Sequence, residues 1–275
     1  MKLENIILTD THVHVHDCFD MELLLNSSYV NFRKYAESFN AENFEGILCL
    51  TENFTVNYFD NLKQNAINGE NYPGLQIHLT DESNSLSISN ANNNVLYLIA
   101  GRQIVTKERL EVLGIGVNNS IMDGKPLEET VELVNYNKGL PVIPWGVGKW
   151  TGERKKIISN LISKYKGKLL FIGDNGNRPF FWGKSSVFLQ AEKLNIHNLP
   201  GTDPLPFKTE NKRAGSHGFI LEGKLDSRKP FESLKEKILS SNAPLLYGKP
   251  EKTLRFIRNQ FLMNFVKQRK IRLGQ

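Results

Sequence analysis

Short apolar runs alternate with segments of helical period along most of the chain. The run "NIILTDTHVH" predicts a first strand, and "DMELLLNSSYVNFRKYAESF" predicts the helix that follows it. A second strand, "EGILCLTEN", and a second helix around "VNYFDNLKQNAI" continue the same rhythm. Strands that alternate with helices are typical of βα units, which form a parallel sheet or barrel.

This rhythm is interrupted between residues 75 and 117, where the pattern predicts strands alone. The runs are "LQIHLTDE", "SLSIS", "NVLYLIAGRQIVT" and "LEVLGIGV", with "NANNN" as a turn, and they predict a β meander or hairpin. Alternating helices and strands then resume, from the helix "PLEETVELVNYNKG" to a strand leading into "LPGTDPLP". The polar segment "FKTENKRAGSHG" is predicted to be a loop, followed by the strand "FILEG" and the helix "PFESLKEKILSSN".

The predicted fold class is therefore α/β. About seven strands could face a common centre, which favours a distorted (β/α)7-like TIM-type barrel with an inserted β meander or hairpin. No linker-like or low-complexity segment divides the chain, so we expect a single domain over residues 1–275.

Composition indicates a globular protein, with 40% hydrophobic and 23% charged residues in 275. No apolar run approaches the roughly 18 residues that span a bilayer. The start, "MKLENIILTD", lacks the features of a signal peptide, and two cysteines are too few for a disulfide framework. We therefore expect a cytoplasmic protein without a transmembrane segment.

The net charge of +6 is concentrated at the end of the chain. Residues 249–275 contain eight basic residues and one acidic residue, a local charge of +7. Apolar residues recur there at helical spacing, namely Leu254, Ile257, Phe261, Leu262, Phe265 and Val266, and they predict a basic amphipathic helix. The simpler interpretation is a helix with a solvated charged face. An anionic partner is the alternative, but no specific nucleic-acid motif supports it.

Three histidines in "TDTHVHVHDCFD" are the strongest indication of chemistry. Positions two apart on a strand point to the same face, so His12 and His14 can reach one site at the carboxyl end of the first strand. Imidazole is a good ligand for Zn, Mn or Fe. His16 falls in the loop if the strand ends before it, where it could donate a proton. The alternative is that these histidines are structural and satisfied by carboxylates and backbone groups.

"TDTHVH" resembles the D-x-H-x-H opening of the PHP (polymerase and histidinol phosphatase) family and of amidohydrolase-like barrels, with Asp10, His12 and His14 at the matching positions. Further segments follow in family order over roughly residues 5 to 207. "GILCLTENFTVNYFDNL" is similar to the segment with T-D-H, and "IAGRQIVTKERLEVLGIG" to P-G-x-E-I with H-x-L-G. "GLPVIPWG" is similar to G-x-P-V-x-A-H-P, and "LPGTDPLP" to G-S-D-x-H.

The chain departs from this pattern at several ligand positions. Asn53 replaces a histidine next to Glu52, Gln103 replaces the bridging glutamate, Glu111 replaces a histidine, and Trp145 replaces the H-P histidine. The resemblance therefore implies a depleted ligand set and a single divalent ion, Mn, Zn or Fe. The predicted ligands are His12, His14 and Asp203, with Glu52 and Glu111 at altered positions.

Asp203, in the loop "PGTDPLP", could complete the metal site or act as a general base, with His16 as the second catalytic candidate. The alternative for Asp203 is a turn or helix-cap residue. The predicted substrate-binding residues are Arg178 and Arg213, whose guanidinium groups suit an anion, together with Gln103 and Trp145.

The sequence thus favours a PHP-like metal-dependent hydrolase, most simply a phosphoesterase acting on a small anionic substrate through activated water. The alternative is a catalytically reduced barrel that binds a sugar phosphate, a glycan precursor or a protein partner without hydrolysis. The replaced ligands motivate this second hypothesis.

Overall fold

The computed structural model describes residues 4–70, 74–92, 94–118 and 121–272, with side chains described as far as residue 266. Asn93 of the predicted "NANNN" turn lies outside the described residues. So do the side chains of four predicted basic residues near the end of the chain, namely Lys267, Arg269, Lys270 and Arg272.

The described strands form two sheets. The larger sheet has seven strands in the order β11-β10-β1-β2-β5-β4-β3. Its strands are β1 (Asn5–Val13), β2 (Asn43–Leu50), β3 (Leu75–Leu79), β4 (Ser85–Asn90), β5 (Val95–Ile99), β10 (Gly218–Glu222) and β11 (Leu245–Tyr247). The smaller sheet has the order β6-β7-β8-β9. Its strands are β6 (Gly101–Val105), β7 (Glu111–Ile115), β8 (Leu140–Pro144) and β9 (Phe171–Gly173).

Seven α-helices accompany these strands in the described chain. They are α1 (Met21–Ser38), α2 (Tyr58–Ile67), α3 (Leu127–Tyr136), α4 (Gly152–Lys164), α5 (Ser186–Lys193), α6 (Pro230–Ser240) and α7 (Thr253–Arg272). All seven confirm helices predicted from the apolar period. The predicted polar loop at 207–218 contains a short 3-10 helix, Lys208–Lys212.

The prediction of a TIM-type barrel was wrong. Such a barrel is one closed sheet of parallel strands, whereas here the strands are divided between two sheets and only β1–β2, β2–β5 and β8–β9 pair in parallel. The other described strand pairs, including all those within the predicted meander, are antiparallel. Without helices between them, consecutive strands of that region can only return as hairpins.

The division between the sheets falls inside a run that was predicted to be one strand. "NVLYLIAGRQIVT" forms β5 in the larger sheet and β6 in the smaller one, with the break at Ala100. Gly101 begins the new strand, and a Cβ there would lie 2.7 Å from the backbone oxygen of Leu50. A glycine is therefore required where the chain passes this close to the end of β2.

The hydrophobic core has three layers, which follow from the period-two alternation of the strands. In β2, Leu48 and Leu50 pack with the residues of α1 and α2, whereas Ile47 and Cys49 join a cluster that also contains residues of β7, β8 and β9. The third cluster packs the opposite side of the smaller sheet against α3, α4 and α5. The two sheets thus face each other across a shared core and are covered by helices on their outer sides.

Helix α7 confirms the predicted C-terminal helix but not the expected burial of its apolar stripe. Leu254, Ile257, Phe261 and Phe265 are exposed, and Phe256 and Asn259 on the opposite side are buried. The sequence period located the helix correctly, but the prediction of which face packs inward was wrong.

Among the described residues, no helix combines the length and apolar content that would carry it across a lipid bilayer.

Candidate metal centre

A register shift in β1 directs His12 and His14 into the space between the two sheets. Before the shift, Ile6 and Leu8 pack on the α1 side of the sheet, and after it Val13 does so. The irregularity lies between Asp10 and Val13, and it moves the alternation by one residue. As a consequence, His12 and His14 point away from the helices and towards the smaller sheet.

The segment 197–203 runs between β9 and β1 and brings Asp203 to the histidines. The Asp203 amide donates to the His12 carbonyl at 2.7 Å, and the Gly201 amide donates to the Asp174 carbonyl at 3.1 Å. Asp10 fixes the same segment, because its carboxylate accepts hydrogen bonds from both the backbone and the hydroxyl of Thr202 at 2.9 and 2.6 Å. Burial raises the pKa of Asp10 to about 6 in spite of these bonds. Asp10 therefore positions the site and is not part of its ligand group.

Four atoms that could act as metal ligands converge between the two sheets, one from each of His12, His14, Gln103 and Asp203. His12 Nε2 and His14 Nε2 are 3.1 Å apart, and Gln103 Oε1 lies 3.1 Å from each of them. Asp203 Oδ1 lies 3.7 Å from His12 Nε2 and 3.5 Å from His14 Nε2. Ligands at about 2.1 Å from one ion are separated by about 3.0 to 3.4 Å in octahedral or tetrahedral geometry. The spacing of the nitrogens and the amide oxygen is therefore that of neighbouring metal ligands.

Hydrogen bonds alone cannot account for this cluster. Gln103 Oε1 carries no proton, so bonds from both histidines to it would require a proton on each Nε2. Two protonated nitrogens would then face each other at 3.1 Å. No arrangement of protons satisfies all three contacts, whereas a cation would accept every lone pair. The residues present fit a metal ion.

Burial determines the charge state of the group. Removal from water lowers the pKa of His14 to about 3, with a further contribution from neighbouring His12, so the imidazole is neutral and available as a ligand at neutral pH. Burial alone would raise the pKa of Asp203, but the nearby His12 and His14 and the hydrogen bond from Asn175 hold it at about 2. Asp203 is thus a carboxylate, as metal coordination requires.

Two asparagines that sequence reasoning missed hold Asp203 in place. Asn175 Nδ2 donates to Asp203 Oδ2 at 2.6 Å, which leaves Oδ1 directed at the histidines. Asn177 Nδ2 donates to the Asp203 carbonyl at 2.6 Å. Both side chains follow β9 in "GDNGN", and the position of amides directly after a strand is the signal that could have identified them.

Glu52 and Glu111 were predicted as ligands, but the structure does not bring them to this cluster. Among the described residues, the group of His, Cys, Asp and Glu that could hold an ion consists of His12, His14 and Asp203. Glu52 Oε1 instead accepts from the Phe59 amide at 2.7 Å, and burial raises the pKa of this carboxyl to about 7. Glu111 forms an ion pair with Lys149.

The two arginines predicted to bind substrate form internal ion pairs instead. Arg178 contacts both carboxylate oxygens of Asp174 at 2.7 Å. Arg213 donates to Glu251 at 2.5 Å and to the Gly176 carbonyl at 2.5 Å. Each guanidinium is largely buried, so neither is presented to a ligand. Their roles in the structure correct the expectation from their loop positions.

The cluster opens into a cleft of about 640 Å³. Gln103 and Trp145, both predicted to contact substrate, line this cleft, and so does His16. His16 Nε2 donates to the Pro204 carbonyl at 2.9 Å, which places a proton on that nitrogen. Trp145 is nearly fully buried, with its ring 5.8 Å from that of Trp182.

Comparison with known proteins identifies a fold but no family. No protein-family model matches the chain, and no curated protein sequence matches it. Among solved structures, PsfC from Pseudomonas syringae PB-5123 is similar with a TM-score of 0.54 at 13% identity, over 96% of this chain and 98% of PsfC. Endonuclease Q, in complex with a duplex substrate carrying an abasic lesion, gives a TM-score of 0.49 at 12% identity, over 88% of this chain and 58% of that protein.

The likeness to PsfC extends over nearly the whole of both chains, so the two proteins share their fold. At this identity the likeness is limited to the fold. The class that fold and site define is therefore a mixed α/β protein with two facing sheets and a group of side chains that could bind a metal ion between them.

Proposed function

We propose that the protein is a PHP-like metal-dependent hydrolase that cleaves a small phosphate ester with one divalent ion. The observation that carries the proposal is the convergence of His12 Nε2, His14 Nε2 and Asp203 Oδ1 with Gln103 Oε1 at the inner end of a cleft. The resemblance of "TDTHVH" and the later segments to the PHP pattern supports the same assignment.

A divalent cation, when bound by these residues, supplies Lewis-acid activation of water and neutralises charge on the phosphoryl oxygens. His12 and His14 act as neutral ligands, and Asp203 acts as an anionic ligand. The low pKa of Asp203 makes it a weak proton acceptor, so the ligand role is favoured over the role of general base. His16 lines the cleft and is the candidate donor to the leaving oxygen in its imidazolium form. Its Nε2–H donates to the Pro204 carbonyl and orients the ring, so the proton to be transferred is the one on Nδ1.

Lys149 replaces the two arginines as the proposed anion-binding residue. It lines the same cleft as His14, Gln103 and Asp203, and it pairs with Glu111. Its positive charge is one of the causes that lower the pKa of Asp203. A phosphate that entered the cleft would compete with Glu111 for this cation. Gln103 is proposed to serve the metal site through Oε1, and Trp145 to form part of the cleft wall.

The first test is the metal content of protein purified without chelator. We expect about one equivalent of Mn, Zn or Fe per chain in the unaltered protein and a loss of most of it in His14→Ala, because that variant keeps only one of the two imidazole ligands. Added metal should also raise the Tm of metal-free protein, because binding adds about 2.7 kcal/mol to the free energy of unfolding at 100 times Kd. His78→Ala is the matched control, since His78 lies exposed on β3.

Turnover of a panel of phosphate monoesters then separates hydrolysis from binding. Metal-dependent turnover that is lost in His14→Ala and kept in His78→Ala supports the hydrolase. Metal binding with ligand-induced stabilisation but no turnover supports a catalytically reduced binding protein instead. Absence of metal binding that depends on His12 and His14 would rule out the proposed site.

A further inference from the structure

The outer side of helix α7 carries a stripe of exposed apolar side chains, which we call the α7 stripe. Its members are Leu254, Ile257, Phe261 and Phe265. Residues three and four positions apart share one face of a helix, so these side chains are neighbours. Among the described residues, each of the other six helices exposes at most two large apolar side chains, which is ordinary scatter on a protein surface. The α7 stripe is instead a continuous apolar face, the kind of surface that marks an interaction site.

The α7 stripe cannot turn inwards, because the opposite side of the helix is already packed. Phe256 on that side is buried, and its ring centroid lies 5.9 Å from that of Phe181. The start of the helix is held by the Phe180 amide, which donates to the Glu251 carbonyl at 2.9 Å. Glu251 is itself buried and pairs with Arg213. The stripe therefore faces outwards as a fixed feature of the fold.

Exposed aromatic residues lie beside the first turn of the same helix. Phe180, Phe181 and Trp182 follow one another in the loop after β9, and all three are exposed. The backbone bond to Glu251 and the ring contact with Phe256 hold this loop against α7. Phenylalanine, tryptophan and leucine are the apolar residues that interfacial helices insert into lipid.

The charge next to the α7 stripe is positive. Residues 252–275 include seven basic residues and no acidic residue. Of the side chains that the structure describes, Lys249, Lys252 and Arg258 are exposed, and Arg258 lies within one helical turn of two members of the stripe. The neighbouring acid, Glu251, is buried. Solvent therefore meets an apolar face with cations beside it.

We propose that the α7 stripe docks the protein on a membrane surface that contains anionic lipids. An interfacial helix inserts its apolar side chains at the boundary between headgroups and acyl chains, and its basic residues pair with anionic headgroups. Helix α7 presents both kinds of side chain to the outside, since its apolar residues form the stripe and Arg258 lies beside them. A membrane surface is flat, so one face of a helix is sufficient for contact. This docking surface is separate from the cleft, which the inner side of α7 lines.

Three other occupants fit this surface less well. A nucleic acid would engage the cations but leave Leu254 and Ile257 in water, because aliphatic side chains neither bond phosphates nor stack on bases. A second copy of the chain would cover the stripe but bring like charges together. An acidic protein groove encloses a helix from several sides, whereas the inner side of α7 is already packed. Anionic lipid matches the apolar face, the charge and the one-sided exposure together.

Sedimentation of the full chain with lipid vesicles tests the proposal. The unaltered protein should bind vesicles made of equal parts of phosphatidylglycerol and phosphatidylcholine, and it should bind pure phosphatidylcholine vesicles much more weakly. Replacing two members of the stripe in one chain, Leu254→Ser with Phe261→Ser, should raise the Kd for the anionic vesicles by about tenfold or more, because two apolar insertions are lost. The matched control, Tyr136→Ser with Leu239→Ser, removes an exposed aromatic residue and an exposed leucine from α3 and α6 and should leave the Kd unchanged.

Arg258→Gln tests the charge with the stripe left intact. Removal of one cation near an anionic surface should raise the Kd for the anionic vesicles by about fivefold. Arg228→Gln, at an exposed position outside α7, is its control. Because all of these substitutions are at exposed positions, the variants should keep the circular dichroism spectrum of the unaltered protein. Arg258→Gln keeps the proposal open to test if the double variant does not fold.

Weaker binding of the anionic vesicles by both α7 variants, with binding kept in both controls, would support the proposal. Absence of vesicle binding, equal binding to the two kinds of vesicle, or equal binding by the unaltered protein and either α7 variant would overturn it. A dimer detected by light scattering without lipid, and dissociated by Leu254→Ser with Phe261→Ser, would mean that a second copy covers the stripe and would overturn it too. Duplex DNA bound more tightly than the anionic vesicles, and equally by the unaltered protein and the double variant, would assign the cations to a nucleic acid instead.

Discussion

At the scale of single residues, Gly201 determines whether Asp203 can reach the histidines. A Cβ at this position would lie 2.3 Å from the His12 backbone nitrogen and 2.5 Å from the His12 Cβ. Because both neighbours belong to β1, neither contact can be relieved by rotating a side chain. The segment 197–203 would have to move away from β1 and carry Asp203 with it.

We therefore predict that Gly201→Ala lowers the free energy of unfolding by about 1 to 3 kcal/mol, as overpacking does, and removes metal binding as well. Urea unfolding and metal analysis of the purified variant measure the two effects. Gly183→Ala is the control, since nothing lies within 4 Å of the position of its Cβ. Full metal content in Gly201→Ala would show that the close approach to β1 is not needed for the site.

The sequence predicted this group of candidate metal ligands only in part, for reasons that are visible at individual residues. Alternation along a strand correctly placed His12 and His14 on one face, and the Asp203 loop was correctly paired with them. Alternation did not reveal the register shift after Asp10, which determines towards which sheet that face points. The partners of Glu52 were also hidden, because the Phe59 amide at the start of α2 and the Arg102 side chain on β6 reach it only through the tertiary fold.

At the scale of elements, a buried ion network fixes α7 against the body of the protein. Glu251, just before the helix, accepts from Arg213 at 2.5 Å, and Arg255 in the first turn donates to Glu210 at 2.7 Å. Glu210 is fully buried and Glu251 nearly so. Each carboxylate contacts both arginines, so removal of Arg213 leaves Glu251 with only the 3.5 Å ion pair to Arg255, which is destabilising for a buried charge.

Arg213→Met should accordingly lower the free energy of unfolding by about 1.5 to 3 kcal/mol, the range for a lost hydrogen bond to a charged group. Chemical denaturation measures the loss, and Arg228→Met at an exposed position provides the comparison. A variant that kept its stability but lost substrate affinity would instead support the role in substrate binding that the sequence suggested for Arg213.

Elements were predicted more reliably than their packing. Apolar period located the helices, including α7, because the period is a local property of the chain. It did not separate β5 from β6 or find the short edge strand β11. It also assigned the wrong inner face to α7, where Leu254 and Phe261 are exposed and Asn259 is buried. Which face of a helix packs inward depends on what lies opposite, and that information is not local.

At the scale of the whole molecule, the same limit explains the error in fold class. Continuous apolar strands predict that both faces of each strand are buried. A closed barrel surrounded by helices meets this requirement, and so does a pair of facing sheets covered by helices. The choice depends on which strands pair and in which direction. In this chain, the helix-free region between residues 75 and 117 forces antiparallel pairs, which do not occur in a TIM-type barrel.

The dependence of stability on pH is also a property of the whole molecule, because buried groups contribute with opposite signs. The pKa of Glu52 is raised from 4.5 to about 7 by burial, so the folded state binds more protons than the unfolded state between these values. The free energy of unfolding then falls as pH rises through that range. The pKa of His14 is lowered from 6.5 to about 3, so the contribution of this residue to the free energy of unfolding rises with pH between these values. Total stability therefore cannot be read from either group alone.

The difference between Glu52→Gln and the unaltered protein isolates one of these contributions. A glutamine can still accept the hydrogen bond from the Phe59 amide, and Arg102 keeps its bond to the Val56 carbonyl, so the local structure should be preserved. Only the unaltered protein loses stability as Glu52 ionises. The free energy of unfolding of Glu52→Gln should therefore rise relative to that of the unaltered protein as pH rises from 4.5 to 8. This relative gain should be at most about 3.5 kcal/mol, at roughly 1.4 kcal/mol per pKa unit over the shift from 4.5 to about 7. Urea unfolding across this range measures it, with the exposed Glu129→Gln as control. A difference that stays constant with pH would mean that Glu52 is ionised in the folded protein throughout, held so by Arg102.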